Sequence, residues 1–357
     1  MSSTTPPAIQ SVSWLRRVLT HPLFWPSATL LLLLIGNGLL NPGFLSLQWR
    51  DEHLYGNLVD IANRAAPLIL VSMGMTLVIA ARGLDISVGA VLAIAATVAA
   101  WMIGGGSGGE GAVSRFPMWL AIATALAVSA ACGLWNGLLV VKVGMQPIVA
   151  TLILMVAGRG VAQLISGGQV LTLYYPPYFY FGNGFLFGIP FSLFVVAGVF
   201  LALHLALNKT ALGLFIRAIG GNPLAAHVAG VPARLITIGL YVFCSVSAGM
   251  AAILVSSNVK SADANNAGQL LELDAILAVT LGGTLLTGGR FSLAGSAIGA
   301  LIIQTLTTTI YSLGVPPQVN LVVKALLVFV VMLLQSAEFR ASVRGLMFRH
   351  PAGEGGA

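Results

Sequence analysis

The amino-acid sequence predicts an all-α membrane protein, a polytopic helix bundle with about ten transmembrane helices and some broken or re-entrant segments. Of its 357 residues, 57% are hydrophobic and only 8% are charged, whereas a soluble domain carries about 25% charged residues. The apolar runs are long and uniform and do not alternate every second residue, which favours helices over a β-barrel. A helix also satisfies its own backbone hydrogen bonds, as lipid requires.

Ten candidate spans follow from the apolar runs. The third and the eighth are the weakest, because both are shorter than the roughly 20 residues that a straight span needs, and broken helices are expected there. The first is interpreted as a retained signal-anchor helix, since the first twenty residues lack an apolar core that ends in a small-residue cleavage site. The spans are residues 24–40, 60–81, 89–103, 118–141, 148–166, 189–207, 235–257, 274–288, 293–313 and 320–336.

The distribution of positive charge predicts that both termini lie in the cytoplasm. With that orientation the inner segments hold eleven Lys and Arg residues and the outer loops hold three, in line with the enrichment of these residues in cytoplasmic loops. The net charge of +7 therefore reflects membrane topology and lipid contact, and no nucleic-acid partner is expected. The predicted layout is a cytoplasmic tail (1–23), a transmembrane domain (24–336) with an inner loop at 208–234, and a second cytoplasmic tail (337–357).

The segment ARGLDISVGA (Ala81–Ala90) places an acid and a hydroxyl at the end of the second span. A charge near the membrane is costly unless it is paired or hydrated, and Arg82 is close enough along the chain to pair with Asp85. Alternatively, Asp85 is the N-cap of the third helix. Asp85 and Ser87 are also candidates for a role in gating or translocation.

Arg159 lies between two glycines within the fifth span. It must face protein or a hydrated cavity, since lipid would not solvate its charge, and it is a third candidate for gating or translocation. On the outer side, the segment Ser261–Ala275 is the most polar. Its Asp263, Asn265 and Asn266 suit hydrogen bonds to sugar hydroxyls or the docking of an external protein, although a solvated loop explains them equally well.

Two further features concern packing. Gly133 with Gly137, and Gly295 with Gly299, have the GxxxG spacing that allows two helices to approach closely. The outer loop at 174–190 is aromatic and uncharged. Because such rings favour the membrane–water interface, we expect this loop to lie flat there.

The inner loop contains a short helix with clear start and stop signals. Asn222 is a favourable N-cap and Pro223 suits the first helical position, so a helix is predicted over 224–229. Gly230 is well placed at C′, and Pro232 prevents the helix from continuing.

Another short helix is predicted just before it, over 211–219, ending at the Gly220-Gly221 pair. The two helices form a rigid knob on the cytoplasmic side, and Leu224 and Val228, four residues apart, give it an apolar contact stripe. A separate motor protein would need such a knob to push against, although an ordered loop without a partner has the same pattern.

The sequence contains no motif typical of an enzyme. It has no GxxxxGK[ST] phosphate loop and no HExxH pair, and its carboxylates do not gather with histidines as in a metal site. Cys132 and Cys244 lie within apolar runs and are interpreted as small buried residues. We therefore expect no catalytic set, no cofactor and no metal.

Three motifs together resemble the permease family of ATP-driven bacterial sugar importers, in its ribose-type branch. They are GLDISVG, ALGLFIRAIGGNPLAAHVAGV and LGGTLLTGGRFSLAGSAIGA. The resemblance covers the chain from about Asp60 to Gln335. The segments NRAAPLILVSMGMTLVIA, QPIVATLILMVAGRGVAQLISGGQ and SADANNAGQLLELDAILAV are similar, more narrowly, to permease subunits of galactofuranose importers.

This resemblance implies a location in the bacterial inner membrane and a set of partners. They are a second permease subunit (giving a heterodimer or a homodimer), a cassette ATPase, a periplasmic sugar-binding protein and a monosaccharide substrate. It also implies that the loop from Gly213 to Gly230 is a coupling segment seated in a cleft of the ATPase. The coupling role is carried over to Gly213, Arg217, Gly220, Gly221, Asn222, Pro223, Ala226 and Gly230.

One departure and one alternative remain open at this point. Arg82 stands where many relatives carry a glycine, which leaves its pairing with Asp85 in doubt. An ion-coupled secondary sugar transporter is the alternative function, and it would use buried carboxylates near the bilayer midplane. Asp60 and Asp85 lie near the ends of spans, which counts against it.

Overall fold

A computed structural model of the chain describes residues 23–50, 52–104 and 114–314, and scattered positions from 316 to 333. Apart from residue 23, the two predicted tails lie outside the described residues. About half of the tenth predicted span, at 320–336, lies outside them as well. The positions of these segments and the total of ten spans stay predictions.

The described chain is mainly helical, as predicted, with short strand pairs in the loops. The helices are α1 (Phe24–Leu40), α2 (Asn57–Ala80), α3 (Val88–Ile103), α4 (Met118–Leu138, continued by a π-helical turn over Leu139–Val143), α5 (Pro147–Ser166), α6 (Pro176–Asn183), α7 (Phe191–Lys209), α8 (Leu212–Gly221), α9 (Pro223–Val228), α10 (Ala233–Val259), α11 (Leu271–Leu281) and α12 (Leu293–Ser312). The strands are β1 (Gln48–Arg50), β2 (His53–Tyr55), β3 (Leu171–Thr172), β4 (Phe185–Leu186), β5 (Ile189–Pro190) and β6 (Ser261–Ala262). They form three antiparallel pairs, β1–β2, β3–β6 and β4–β5.

Within the described ranges, six helices are long and apolar enough to cross a membrane: α2, α4 with its π-helical turn, α5, α7, α10 and α12. Two more predicted spans correspond to shorter apolar helices, α1 with 17 residues and α3 with 16. The eighth predicted span is the broken one, because α11 has only 11 residues and an irregular glycine-rich turn leads from it to α12.

The centre of the bundle is built from α2, α3 and α10. From Ala65 to Ala80, every residue of α2 except Pro67 is buried, and in α3 only Val98 and Trp101 are not. Because α3 packs against α4, α5 and α10, its partners bury it within the protein. This burial explains how a helix shorter than a straight span is accommodated.

The four GxxxG glycines bring helices together within this chain. An added methyl group at Gly133 would lie 2.6 Å from the backbone oxygen of Tyr241 in α10. A methyl group at Gly299 would overlap the carbonyl oxygen of Ala278, so α12 lies against α11. The predicted close approach of helices is therefore confirmed at both motifs.

The aromatic loop at 174–190, whose position at the interface stays a prediction, has regular structure of its own. It folds into α6 and the β4–β5 pair, and α6 packs on the carboxyl-terminal part of α10. Tyr178 is fully buried there, with its hydroxyl 2.7 Å from Oγ of Ser256. A buried tyrosine needs a partner for its hydroxyl, and Ser256 on α10 supplies one.

Candidate functional site

The loop between α7 and α10 forms the predicted pair of short helices. Oδ1 of Asn222 accepts hydrogen bonds from the backbone N–H groups of Leu224 and Ala225, both at 3.1 Å. Pro223 occupies the first helical position, where a missing N–H costs nothing. The predicted N-cap is confirmed.

The end of α9 has the geometry of a Schellman motif. Gly230 has a left-handed φ of 79°, and its N–H donates to the carbonyl of His227 at 3.0 Å. The N–H of Val231 donates to the carbonyl of Ala226, also at 3.0 Å. Both ends of this six-residue helix are thus fixed locally, as the sequence predicts.

The preceding helix, α8, runs two residues further than the predicted 211–219. Gly220 lies within it and is buried because it touches the end of α2, so that a methyl group there would overlap the carbonyl oxygen of Ala80. Gly213 is similarly confined by the carbonyl of Leu207. Both glycines are therefore required by close backbone contact. Gly221 has no such neighbour among the described residues.

The two short helices present an apolar outer surface. Leu224 is 73% exposed and Val228 is 81% exposed. Leu214 of α8 and Leu235 at the start of α10 are exposed as well, while Ala226 faces inward. We call Leu214, Leu224, Val228 and Leu235 the apolar knob. Exposed apolar side chains of this kind are typical of an interaction surface.

Arg217 lies apart from the apolar knob. Its guanidinium is 5.5 Å from the centre of the Phe291 ring, a cation–π distance. It lines a cavity of about 350 Å³ together with His204 and Asn208 of α7. The structure thus directs this predicted coupling residue towards the start of α12.

Arg82 does not pair with Asp85, so that interpretation was wrong. Its Nε donates to the carbonyl of Gly220 and its Nη2 to the carbonyl of Gly221, both at 2.7 Å. The last carbonyls of a helix have no intrahelical partner and carry partial negative charge, which makes them a good acceptor pair for a guanidinium. The site prediction omitted Arg82, although the resemblance to the family implied a departure from the family pattern at that position.

Asp85 is buried but is not the N-cap of α3, which corrects the second interpretation. The helix begins at Val88 with Ser87 as its N-cap, and Ser87 makes no side-chain cap bond. Oδ1 of Asp85 instead accepts from the N–H of Ser87 at 3.0 Å and from its Oγ at 2.6 Å. These two bonds to the residue two positions ahead satisfy Oδ1 before the helix starts.

Asn136 of α4 completes this buried cluster and was not predicted. Its Nδ2 donates to Oγ of Ser87 at 2.9 Å and lies 3.4 Å from Oδ1 of Asp85. In the part of the chain that the structure describes, Oδ2 of Asp85 and Oδ1 of Asn136 have no hydrogen-bond partner. The cluster therefore holds two unused acceptors away from water.

At the end of the bundle opposite the two short helices, the structure joins two sets of residues that were predicted separately. Nη1 of Arg159 donates to the carbonyls of Ala264, at 3.3 Å, and of Ala267. Gln163, one turn further along α5, donates to Oδ1 of Asn265 at 2.6 Å. Gln163 was not predicted, although its position one helical turn after Arg159 places it on the same face.

The outer turn is also closed by its own side chains. Oδ1 of Asp263 accepts from the backbone N–H of Asn265 at 2.8 Å, and Oδ2 accepts from Nδ2 of Asn266 at 2.6 Å. The side-chain bond from Asn266 is the main cause of a lowered pKa for Asp263. These polar groups therefore shape the turn that they belong to. Over the residues searched, no group of three or more His, Cys, Asp or Glu side chains is placed to hold a metal ion.

Comparison with known proteins identifies the family to which this chain belongs. Residues 57–332 match the family described as the permease component of the branched-chain amino acid transport system. The galactofuranose transporter permease protein YtfT of Escherichia coli K12 is 46% identical over 331 residues, covering 91% of this chain and 94% of that protein. The fructose import permease protein FruF of Bifidobacterium longum NCC 2705 is 36% identical, covering 91% of this chain and 90% of that protein.

The ribose import permease protein RbsC of Escherichia coli K12 is 34% identical, covering 83% of this chain and 88% of that protein. No solved structure matches the chain. The three motifs quoted above thus lie within the matched region. They include both the turn around Asp85 and the two short helices of the inner loop.

Proposed function

This chain belongs to the permease-component family of branched-chain amino acid transport systems, and we propose that it is the membrane-spanning subunit of an ATP-driven importer of a small sugar. It is a transport permease and not an enzyme. The sugar class is supported by three relatives whose names specify galactofuranose, fructose and ribose. A galactofuranose-like monosaccharide is the first substrate to test, since the relative named for it is 46% identical.

The proposed assembly contains a cassette ATPase, a periplasmic sugar-binding protein and a second permease subunit, either identical or different, in the bacterial inner membrane. The observation that carries the proposal is the apolar knob, most of which lies on the two short helices, together with the caps of α9 at Asn222 and Gly230. On the predicted topology the knob faces the cytoplasm, where ATP is available. Since the sequence has no phosphate loop of its own, hydrolysis belongs to the partner.

In this mechanism the two short helices are the coupling segment. Docking of the binding protein outside and ATP binding inside shift the permease between two accessible states, because each partner binds the two states with different affinity. The permease itself needs little affinity for the sugar. Specificity is then set by the external binding protein.

The remaining polar residues are proposed for two roles that follow from their positions. Asp85 and Ser87, at the inner turn, and Arg159, at the outer end of α5, are candidates for gating. Asp263, Asn265 and Asn266 are candidates for contact with the binding protein or the sugar. Their hydrogen bonds to one another favour a shaped docking turn over a set of free sugar ligands.

The test is a variant in which Asn222 and Pro223 are both replaced by Gly, assayed in proteoliposomes with the ATPase and the binding protein. We expect ATP hydrolysis to persist while sugar uptake falls, because α9 loses its cap and its preset first turn. The matched control replaces Pro176 and Pro177, at the start of α6 on the outer side, by the same pair of glycines. Normal uptake in the first variant, or wild-type uptake that runs on an ion gradient without ATP, would overturn the proposal.

A further inference from the structure

We propose that Arg82 transmits movement of the coupling segment to the membrane-spanning helices. The inference rests on the proposed function, since it assumes that α8 and α9 are moved by an ATPase. Arg82 is a positioning residue in this account, because it acts through the backbone that it holds. The role is not contained in the predicted coupling set.

The first observation is that three distant segments meet at Arg82. Its guanidinium holds the carbonyls of Gly220 and Gly221 at the end of α8. The N–H of Gly289, in the turn between α11 and α12, donates to the carbonyl of Ala80 at 2.9 Å. A methyl group at Gly288 would lie 2.7 Å from Cγ of Arg82. At Gly220 and Gly288 these contacts leave no room for a side chain, so the three segments fit together as one junction.

The second observation is that the turn bearing Arg82 is tied to three spanning helices. The hydroxyl of Tyr241 in α10 donates to the carbonyl of Leu84 at 3.4 Å. The N–H of Ile86 donates to Oγ1 of Thr151 in α5 at 3.3 Å. Asn136 of α4 bonds the Asp85–Ser87 pair that follows. A displacement of α8 that pulls on Arg82 therefore reaches α4, α5 and α10 through one short turn.

The third observation is that arginine is an unfavourable residue for this backbone position. Arg82 has a φ of 64°, in the left-handed region, which glycine adopts without steric cost and which strains most other residues. Its planar fork nevertheless matches two adjacent carbonyl oxygens, which the compact ammonium group of lysine does not. An arginine kept in an unfavourable backbone conformation, together with two short hydrogen bonds, indicates that the contact between the turn and α8 serves a function.

The test uses Arg82→Gly, which removes both hydrogen bonds while relieving the left-handed backbone. Lys260→Gly is the matched control, because Lys260 is another basic residue with a left-handed φ, of 56°, at the outer end of α10. The transporter, reconstituted with its ATPase and binding protein, is assayed for sugar transported per ATP hydrolysed, for co-purification of the ATPase and for thermal stability. Arg82→Lys serves as a second variant that keeps the charge.

We expect Arg82→Gly to assemble and melt like the control but to transport about tenfold less sugar per ATP, within the range of coupling between two sites. Arg82→Lys should fall between that variant and the wild type. An unchanged ratio in Arg82→Gly would overturn the inference. So would a loss accompanied by release of the ATPase or by a lower melting temperature, since both indicate a merely structural role.

Failure of the proposed function has a different signature. In that case the wild-type complex itself shows no ATP-dependent uptake. The amount of sugar that it takes up in the presence of ATP then does not exceed the amount taken up by empty liposomes. Wild-type coupling that survives the loss of Arg82 rejects the inference alone and leaves the proposed function standing.

Discussion

At the scale of single residues, the buried carboxylate of Asp85 has no cation partner among the described residues. Its neighbours are a hydroxyl, a backbone N–H and the amide of Asn136. A buried charge without a counter-ion is costly, so hydrogen bonding at Oδ1 has to offset part of that cost. Oδ2, which lacks a partner there, makes the site asymmetric.

This asymmetry predicts opposite outcomes for two substitutions of Asp85. Asp85→Asn keeps an acceptor for Ser87 and removes the acidic group that lacks a counter-ion, so stability should be retained or raised. Asp85→Ala leaves the hydroxyl and the N–H of Ser87 without their acceptor, and a loss of about 1–3 kcal/mol in the free energy of unfolding is expected. Thermal unfolding of the purified proteins in one detergent compares them. Equal destabilisation by both substitutions would contradict this account of the cluster.

Residue-level contacts were predictable where they are local in sequence. Asn222 and Gly230 could be assigned from their neighbours, because helix caps depend on residues two to five positions away. The partners of Arg82 are 138 and 139 residues distant, and no spacing rule identifies them. The nearest acid along the chain, Asp85, was therefore chosen wrongly.

At the scale of elements, close contact between helices in this bundle depends on glycines that face a neighbouring helix. Gly133 of α4 faces the backbone of α10, whereas Gly198 of α7 has no atom within 4 Å of an added methyl group. Both glycines lie inside helices that are long and apolar enough to span the membrane. The pair thus separates the effect of close packing from the effect of glycine on helix propensity.

We predict that Gly133→Ala destabilises the protein by about 1–3 kcal/mol, the usual cost of overpacking. Gly198→Ala should be neutral or slightly stabilising, because alanine has the higher helix propensity. Melting of the two variants in the same detergent, with the yield of monodisperse protein as a second readout, tests the contrast. Equal melting temperatures would mean that α4 and α10 separate easily.

The apolar runs predicted where the spanning helices lie, but they did not predict how the segments between the helices fold. The ranges of α4, α5, α7 and α12 agree with their predicted spans within a few residues. The aromatic loop at 174–190 shows the limit, because its aromatic composition did not indicate a helix and a strand pair. The hydroxyl of Ser256, which holds Tyr178, belongs to a helix that begins more than fifty residues later.

At the scale of the whole molecule, the polar clusters lie at opposite ends of the bundle. The junction at Arg82 and the apolar knob follow the carboxyl ends of α2 and α7, and the turn at Asp263 follows the carboxyl end of α10. On the predicted topology these are the inner and outer faces. Transport requires the two faces to communicate, and α10 contacts the Arg82 turn through Tyr241 and borders the outer turn at its other end.

The last prediction concerns assembly at the inner face. Val228 is 81% exposed and makes little contribution to the fold, so Val228→Asp should leave insertion and melting unchanged while it weakens binding of the ATPase. A buried, unpaired charge in an interface costs several kcal/mol, which corresponds to at least about tenfold in affinity. Phe187→Asp is the control, because Phe187 is 85% exposed in the outer β4–β5 turn. Co-purification of the ATPase with each variant gives the readout: equal retention would exclude the apolar knob from the interface, whereas loss from both would indicate general misfolding.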